Sequence, residues 1–308
     1  MLTPILTVKA PAKINWSLYV LDRRDDGYHT ILSLMQSIGL YDTLTFDVSP
    51  RLELRTDMDL PLERNLVFRA AQMLREHTGI KEGARIELWK EIPAGAGLGG
   101  GSSDAASALI GLNTLWGLGL DRDELKAIGG KLGSDIPFFL GSPLAVVEGK
   151  GEILKPLPLE VSYTLLIVHP SLPVSTAWAY GALDAAASPR SRDSFRELTK
   201  ADDSVDNIKF IYEALATGSL LHLKSLVHND FEKVVFREYP VIGALKSRML
   251  EQGAVLALMS GSGSAVFGLF EDRKRALSVS RSFSPFFSRV VETLPASPGG
   301  EVSPVLRQ

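Results

Sequence analysis

The first half of the chain reads as strands interrupted by a few helical stretches. Residues 5–10, 14–22, 32–40, 43–48 and 84–91 are strand-like, and the run Arg85-Ile86-Glu87-Leu88-Trp89-Lys90 mostly alternates polar and apolar, as a half-exposed strand does. Residues 65–78 change period: Leu66, Val67, Ala70, Ala71 and Leu74 recur at helical spacing. Further helices are predicted at 103–116 and 121–132, and strands return at 144–148 and 162–168. In the second half, helices are predicted at 207–216, 219–225 and 239–251. A strand pair at 254–259 and 265–270 follows, joined by a glycine-serine turn. Residues 186–207 are polar and mixed in charge and read as a loop between two halves. Residues 293–308, with Pro295-Ala296-Ser297-Pro298-Gly299-Gly300, lack a core-forming pattern and are predicted to be a flexible tail. Strands and helices mix without regular βαβ alternation, so the predicted class is α+β.

One segment fits neither period: Pro93-Ala94-Gly95-Ala96-Gly97-Leu98-Gly99-Gly100-Gly101-Ser102-Ser103-Asp104. Its five glycines free the backbone of Cβ atoms and let it approach a ligand closely. Ser102, Ser103 and Asp104 are all good N-cap types ahead of a helix. A loop rich in free N–H groups that feeds a helix start is an anion site, most often for phosphate. The letters Gly95-x-Gly97-x-x-Gly100 match a dinucleotide fingerprint, but that motif needs a buried parallel strand before it and a strand after its helix. Neither is evident here. A Walker A loop would end in Gly-Lys-Ser/Thr, and no lysine follows these glycines. A ligand-free turn would use two or three glycines, because each costs conformational entropy on folding. What remains is a phosphate loop without a lysine of its own.

Composition narrows the partners more than the fold. The 308 residues are 45% hydrophobic and 22% charged, as in soluble globular proteins. The net charge of -3, without a polybasic run, gives no support for nucleic-acid binding. There are no cysteines, which excludes disulfides and thiolate metal sites and fits a reducing cytoplasm. The N-terminal residues lack the basic leader of a signal peptide, and no run of about 18 apolar residues predicts a membrane span.

Two further segments carry chemistry. Ala10-Pro11-Ala12-Lys13-Ile14-Asn15 supplies a lysine and an amide at the head of a strand. Gly133-Ser134-Asp135-Ile136-Pro137-Phe138-Phe139 places a carboxylate among apolar residues, where desolvation would raise its pKa unless a lysine held it ionised. Taken alone, an Asp before Ile-Pro is more often a helix cap or turn residue, so both readings stay open at this point.

Together with Met259-Ser260-Gly261-Ser262-Gly263-Ser264, these segments resemble, in order and spacing, the three motifs of the GHMP kinases. Arg24-Asp25-Asp26-Gly27-Tyr28-His29 and the Asp135 segment resemble the branch whose acceptor is cytidine-diphospho-methylerythritol. The resemblance runs from about residue 7 to 270. It implies a two-lobed α+β fold, with an N-terminal lobe like the ribosomal protein S5 domain 2-like fold and a ferredoxin-like C-terminal lobe. The lobes would be residues 1–160 and 161–292, with the site in the cleft between them. It implies ATP as co-substrate with Mg, small-molecule substrates, and a monomer or weak homodimer.

Residue by residue, the resemblance gives Asp135 the role of base toward the 2-hydroxyl and Lys13 that of keeping Asp135 charged. Asn15 would bond the polyol. Residues Pro93, Ala94, Gly95, Ala96, Gly97, Leu98, Gly99, Gly100, Gly101, Ser102 and Ser103 would wrap the nucleotide, with Ser103 nearest the magnesium. Asn65 would approach adenine, although an ordinary N-cap looks the same. Tyr28 and His29 would meet the cytosine, with Tyr180 as the opposite stacking face or merely the apolar side of a helix. Lys150 would reach the cytidine end or be a solvated hairpin lysine. Gly261, Ser262 and Gly263 would turn tightly against the glycine loop. Asp104 departs from many relatives and is expected to point away as a cap or, if inward, to help with magnesium. His228-Asn229-Asp230-Phe231-Glu232 also resembles the family, without an assignable chemistry. His77, His169 and His222 have no ligand spacing, and no protein-built zinc site is predicted. The rival readings are a homoserine or mevalonate kinase, against which Arg24–His29 argues, and a non-catalytic sensor, against which Lys13 and Asp135 argue.

Overall fold

Two exceptionally long strands organise the first half of the molecule. The computed structural model describes residues 6–58, 60–186 and 204–297. β1 (Leu6–Arg23) and β2 (His29–Ser49) run antiparallel along most of their length. The breaks expected at 10–14 and 40–43 are therefore not chain ends but irregularities within single strands. Pro11 lacks an N–H for the ladder, and it falls where the β1–β2 register shifts, a position that tolerates proline.

These irregularities decide which way the chemistry faces. Val8 and Ala10 join the larger core, Ala12, Ile14 and Trp16 join the smaller one, and Leu18 and Val20 return to the larger. Register shifts at Pro11/Ala12 and Asn15/Ser17 bracket the switch. A strand alternates faces with period two, so Lys13 and Asn15 lie opposite Ala12, Ile14 and Trp16, on the side of the cleft.

The first sheet is seven-stranded, in the order β3 (Leu52–Thr56), β4 (Gly83–Trp89), β2, β1, β8 (His228–Asn229). β5 (Leu144–Gly149) and β6 (Ile153–Pro156) extend it from β2. α1 (Leu66–Thr78), α2 (Gly100–Leu115), α3 (Arg122–Gly130) and the short α4 (Ile136–Phe139) accompany it. α1 buries Val67, Ala70, Ala71 and Leu74, as its spacing predicts, between an Asn65 N-cap and a left-handed Gly79. α3 starts with an Asp121–Glu124 capping box.

The second sheet has the order β11 (Phe287–Glu292), β7 (Thr164–His169), β10 (Val266–Phe270), β9 (Leu256–Met259), all antiparallel. β7 is buried on both faces: Leu166 and Val168 enter the larger core, Leu165 and Ile167 the smaller. That is why its sequence is a continuous apolar run. Around the sheet lie α5 (Thr176–Ala186), α6 (Ser204–Thr217), α7 (Leu220–Leu226), α8 (Glu232–Glu238), α9 (Pro240–Glu251) and α10 (Arg273–Ser280).

The pattern missed β3, β6, β8, β11, α4, α8 and α10, most of them short or polar, and offered α5 only as one of two readings of Tyr180. The predicted loop at 186–207 ends by Ser204, where α6 begins, and its residues 187–203 lie outside the described residues. Within the tail expected from residue 293, residues 293–296 are tied to the body of the protein. Thr293 and Ala296 bridge to Ile38 and Leu159, and Gln36 donates its side-chain amide to the Leu294 carbonyl at 3.0 Å. Composition reads these residues as loose, but partners far away in sequence satisfy their backbone. Residues 298–308 lie outside the described residues. Among the described residues, no helix is long and apolar enough to cross a membrane.

Candidate active site

The glycine loop, β1, α5 and the 133–135 turn surround a cleft of about 930 Å³. That volume is in the range of small-molecule sites, about 300–1,000 Å³. The glycines are required by contact as well as by conformation. A Cβ on Gly97 (φ 76°) would lie 2.0 Å from the Ser260 carbonyl oxygen. A Cβ on Gly99 (φ 72°) would lie 2.9 Å from the Phe139 ring and 3.0 Å from Lys13 Cγ. The loop is thus pressed backbone to backbone against the third motif and over Lys13, whose N–H donates to the Leu98 carbonyl at 2.9 Å.

α2 starts at Gly100, three residues earlier than predicted, because Gly100 and Gly101 adopt helical conformation. Its N-cap is the left-handed Gly99, which offers no side-chain cap, rather than Ser102, Ser103 or Asp104. The first-turn N–H groups therefore remain available to an anion. Ser102 lines the cleft. Ser103 is 0% exposed, and its hydroxyl has no partner among the described residues.

Asp104 does not cap the helix: it lies buried within its first turns, at the cleft wall. Its Oδ2 accepts from Lys90 Nζ at 2.6 Å, and Lys90 also donates to the buried Asp42. The other Asp42 oxygen takes the N–H groups of Glu91 (2.6 Å) and Ile92 (2.8 Å), just ahead of the glycine loop. Burial pushes the Asp104 carboxyl up to about 7, against the pull of Lys90. Burial opposes the charge on Lys90, but Asp104 and Asp42 outweigh it and raise its pKa. Lys90 thus brings to the loop the lysine that the loop's own sequence lacks. No local motif marks it, because Asp42 lies 48 residues away.

Lys13 is buried, and its Nζ donates to Asn15 Oδ1 at 2.7 Å. The same oxygen accepts from the Gly261 N–H at 3.1 Å, while Asn15 Nδ2 donates to Ser33 Oγ at 2.8 Å. Asn15 thereby joins the first and third motifs. Burial lowers the Lys13 pKa, and the charge of Asp135 pulls it back up, so the two groups interact across the cleft. Asp135 stands at the N-cap position of α4 but makes no side-chain cap bond. Beside it, a Cβ on Gly151 would come 3.7 Å from its Oδ1.

The far end of the cleft is made of side chains. Tyr28 is 58% exposed, with Lys150 Nζ 4.9 Å above its ring. His29 is buried, stacks on Tyr180 at 4.6 Å and 14°, and meets Asp184 Oδ1 through Nε2 at 2.7 Å. One face of Tyr180 is therefore covered by His29, and its edge packs on Phe231. Burial, and then the charge of Asp135, raise the pKa of the Tyr180 hydroxyl. Asp184 was missed in the sequence, being 155 residues from His29. Asn65 lines the cleft and caps α1, accepting from Val67 N at 2.9 Å. Ser260 Oγ donates to the Gly97 carbonyl at 3.0 Å, and Ser262 pairs with Thr176 at 2.9 Å. The third motif thus turns against the glycine loop.

The fold is that of a GHMP kinase. Residues 65–142 match the family described as GHMP kinases N terminal domain, and residues 211–288 match GHMP kinases C terminal. A 4-diphosphocytidyl-2-C-methyl-D-erythritol kinase from Thermodesulfovibrio yellowstonii is 47% identical over 291 residues, covering 94% of this chain and 98% of that protein. One from Gloeobacter violaceus is 40% identical over 280 residues, covering 88% of each. A crystal structure of 4-(cytidine 5'-diphospho)-2C-methyl-D-erythritol kinase superposes with a TM-score of 0.76 at 34% identity, covering 93% of this chain and 98% of that one. Homoserine kinase from Cytophaga hutchinsonii superposes with a TM-score of 0.74 over 100% and 98% of the two chains, but at 20% identity it shows the shared fold alone. The chain belongs to the 4-diphosphocytidyl-2-C-methyl-D-erythritol kinase family.

Proposed function

We propose that this chain transfers the γ-phosphoryl group of ATP to the 2-hydroxyl of 4-diphosphocytidyl-2-C-methyl-D-erythritol. The products are the 2-phosphate and ADP, in the non-mevalonate route to isoprenoid precursors. The observation that carries this reading is the convergence of Lys13, Asp135 and the uncapped start of α2 on one cleft, in a chain of this family.

In this reading the N–H groups at the start of α2 and along the glycine loop hold the nucleotide phosphates. Asn65 borders the adenine. Tyr28, His29, Tyr180 and Lys150 receive the cytidine end, with Asp184 fixing the His29 ring. Asn15, Gly261 and Ser262 border the polyol and its phosphates, while Gly263, expected beside them, turns the loop behind and faces Met259. Asp135 takes the proton from the acceptor hydroxyl as that oxygen bonds to the γ-phosphorus. The bond from phosphorus to the β,γ-bridging oxygen breaks, and ADP leaves. Lys13, inside the cleft wall, opposes the charge that builds on the transferring group.

Magnesium bound with ATP would neutralise phosphate charge. Among the described residues no cluster of three or more His, Cys, Asp or Glu is able to hold a metal, so its ligands would be mainly the phosphates. The buried Ser103 gives way to Ser102 as the first-turn hydroxyl on the cleft side. We take residues 1–160 and 161–292 as the two lobes, in a cytoplasmic monomer or weak homodimer.

The test is ATP consumption with magnesium and, in turn, the cytidine-linked acceptor, homoserine and mevalonate. Turnover is expected with the cytidine-linked acceptor alone. Asp135→Asn should lower kcat by roughly 10²–10⁴. Turnover with homoserine or mevalonate instead would overturn the assignment of the acceptor.

A further inference from the structure

Asn229 belongs to a segment, His228–Glu232, that takes no part in the reaction described above, yet it lies between two of the three motifs. It is buried, and its side chain is fully engaged with backbone. Nδ2 donates to the Met259 carbonyl at 2.7 Å and to the Gly261 carbonyl at 2.8 Å, and Oδ1 accepts from Phe231 N at 3.0 Å. Both of its amide hydrogens thus go to carbonyls that flank Ser260, in the loop packed against Gly97. On its other side, Asn229 pairs in parallel register with Leu18 of β1, five residues beyond Lys13. Asp230 reinforces that pairing: its N–H donates to the Leu18 carbonyl (3.0 Å) and its carboxylate accepts from Val20 N (2.7 Å). Glu232 grips the same loop by accepting from Met259 N at 2.9 Å, and it is itself held by Lys246 at 2.5 Å.

The loop so held delivers one group to the reaction centre. The Gly261 N–H shares Asn15 Oδ1 with Lys13 Nζ, and a Cβ on Gly261 would sit 3.2 Å from that Nζ. We infer that Asn229 is a positioning residue for phosphoryl transfer, setting the Gly261 peptide and through it the Asn15–Lys13 pair. The inference rests on the reading of Lys13 as catalytic. An amide is required because only a paired donor can satisfy two carbonyls at once while its oxygen accepts. A carboxylate in the same space would turn an oxygen toward two carbonyl oxygens.

The experiment measures kcat, both KM values and the melting temperature for Asn229→Asp, Asn229→Ser and Lys13→Met. Loss of positioning lowers kcat and leaves binding in place. Asn229→Asp is expected to lose about 30-fold or more in kcat, with both KM values within about threefold. Asn229→Ser, which keeps one donor, should fall between it and wild type, and serves alone if the aspartate variant does not fold. Folded Asn229 variants with near-normal kcat, or with the loss confined to KM, overturn the inference while an inactive Lys13→Met leaves the reading of Lys13 standing. An active Lys13→Met overturns that reading itself and removes the route by which Asn229 would act.

Discussion

The two ends of the cleft are built by opposite means. At the phosphate end, backbone comes close to everything it meets: Gly97 lies against the Ser260 carbonyl, Gly99 against the Lys13 side chain, and the Gly261 N–H donates to Asn15 Oδ1. Lys13, Asn15 and Asp104 there are buried and bonded inside the protein. At the base end, reach comes from side chains: the exposed Tyr28, Lys150 above it, and His29 held by Asp184. Gly97 and Gly99 have no room for a Cβ, so tolerance for change at those two positions is low. The base end is open to solvent, so a change there should cost one ligand and spare the rest.

Gly97→Ala breaks the first half of that contrast most severely. The new methyl would have to occupy a position 2.0 Å from a backbone oxygen, at a φ of 76°. Left-handed strain of about 1–2 kcal/mol joins an overpacking cost of about 1–3 kcal/mol. We expect a loss of roughly 3 kcal/mol in stability and of more than about 100-fold in kcat/KM for both substrates. Chemical denaturation and steady-state kinetics would check both. A variant of near-normal activity would mean that the loop and the third motif need not touch for turnover.

Tyr28→Ala tests the other end. A base stacked on an aromatic ring gains about 1–3 kcal/mol, so KM for the cytidine-linked acceptor should rise about tenfold. kcat and KM for ATP should stay within about twofold, since Tyr28 touches neither the glycine loop nor Lys13. Equal losses for both substrates would show that the two ends are not separable.

The same contrast explains what the sequence made legible. The phosphate end announces itself because close backbone approach demands glycine, and glycine at fixed spacing is visible in one dimension. Lys13, Asp135 and the turn at Gly261 stand out only together, through the resemblance of their segments to known motifs; each read alone stays open. Their partners do not stand out. Lys90 reaches Asp42 through the β2–β4 pairing and Asp104 through the packing of α2, and His29 reaches Asp184 on α5, contacts that no local pattern marks. The start of α2 was misplaced because Gly100 and Gly101 read as loop, and capping chemistry was assigned to serines that the helix had already absorbed. The long strands were cut at Pro11 because a register shift within a strand leaves no sequence mark distinct from a strand end.

A further effect concerns the charge stored under the phosphate end. The Asp104 carboxyl titrates near 7 in the folded protein, because burial opposes its ionisation more strongly than Lys90 favours it. An unfolded chain would release that proton near the ordinary value of about 4. The folded state therefore holds the extra proton between these two values. The associated stability is fully present below about pH 4 and is lost as pH rises through 7. Asp104→Asn keeps the shape and removes the titration, so the difference between the two proteins isolates this group. From pH 5 to pH 8 that difference should move in the variant's favour by on the order of 2 kcal/mol, or roughly 4 °C in melting temperature. Melts at several pH values in low-phosphate buffer would read it. A difference that stays flat would mean that Lys90 holds Asp104 ionised throughout, and that the start of α2 carries a permanent negative charge which any incoming phosphate must overcome.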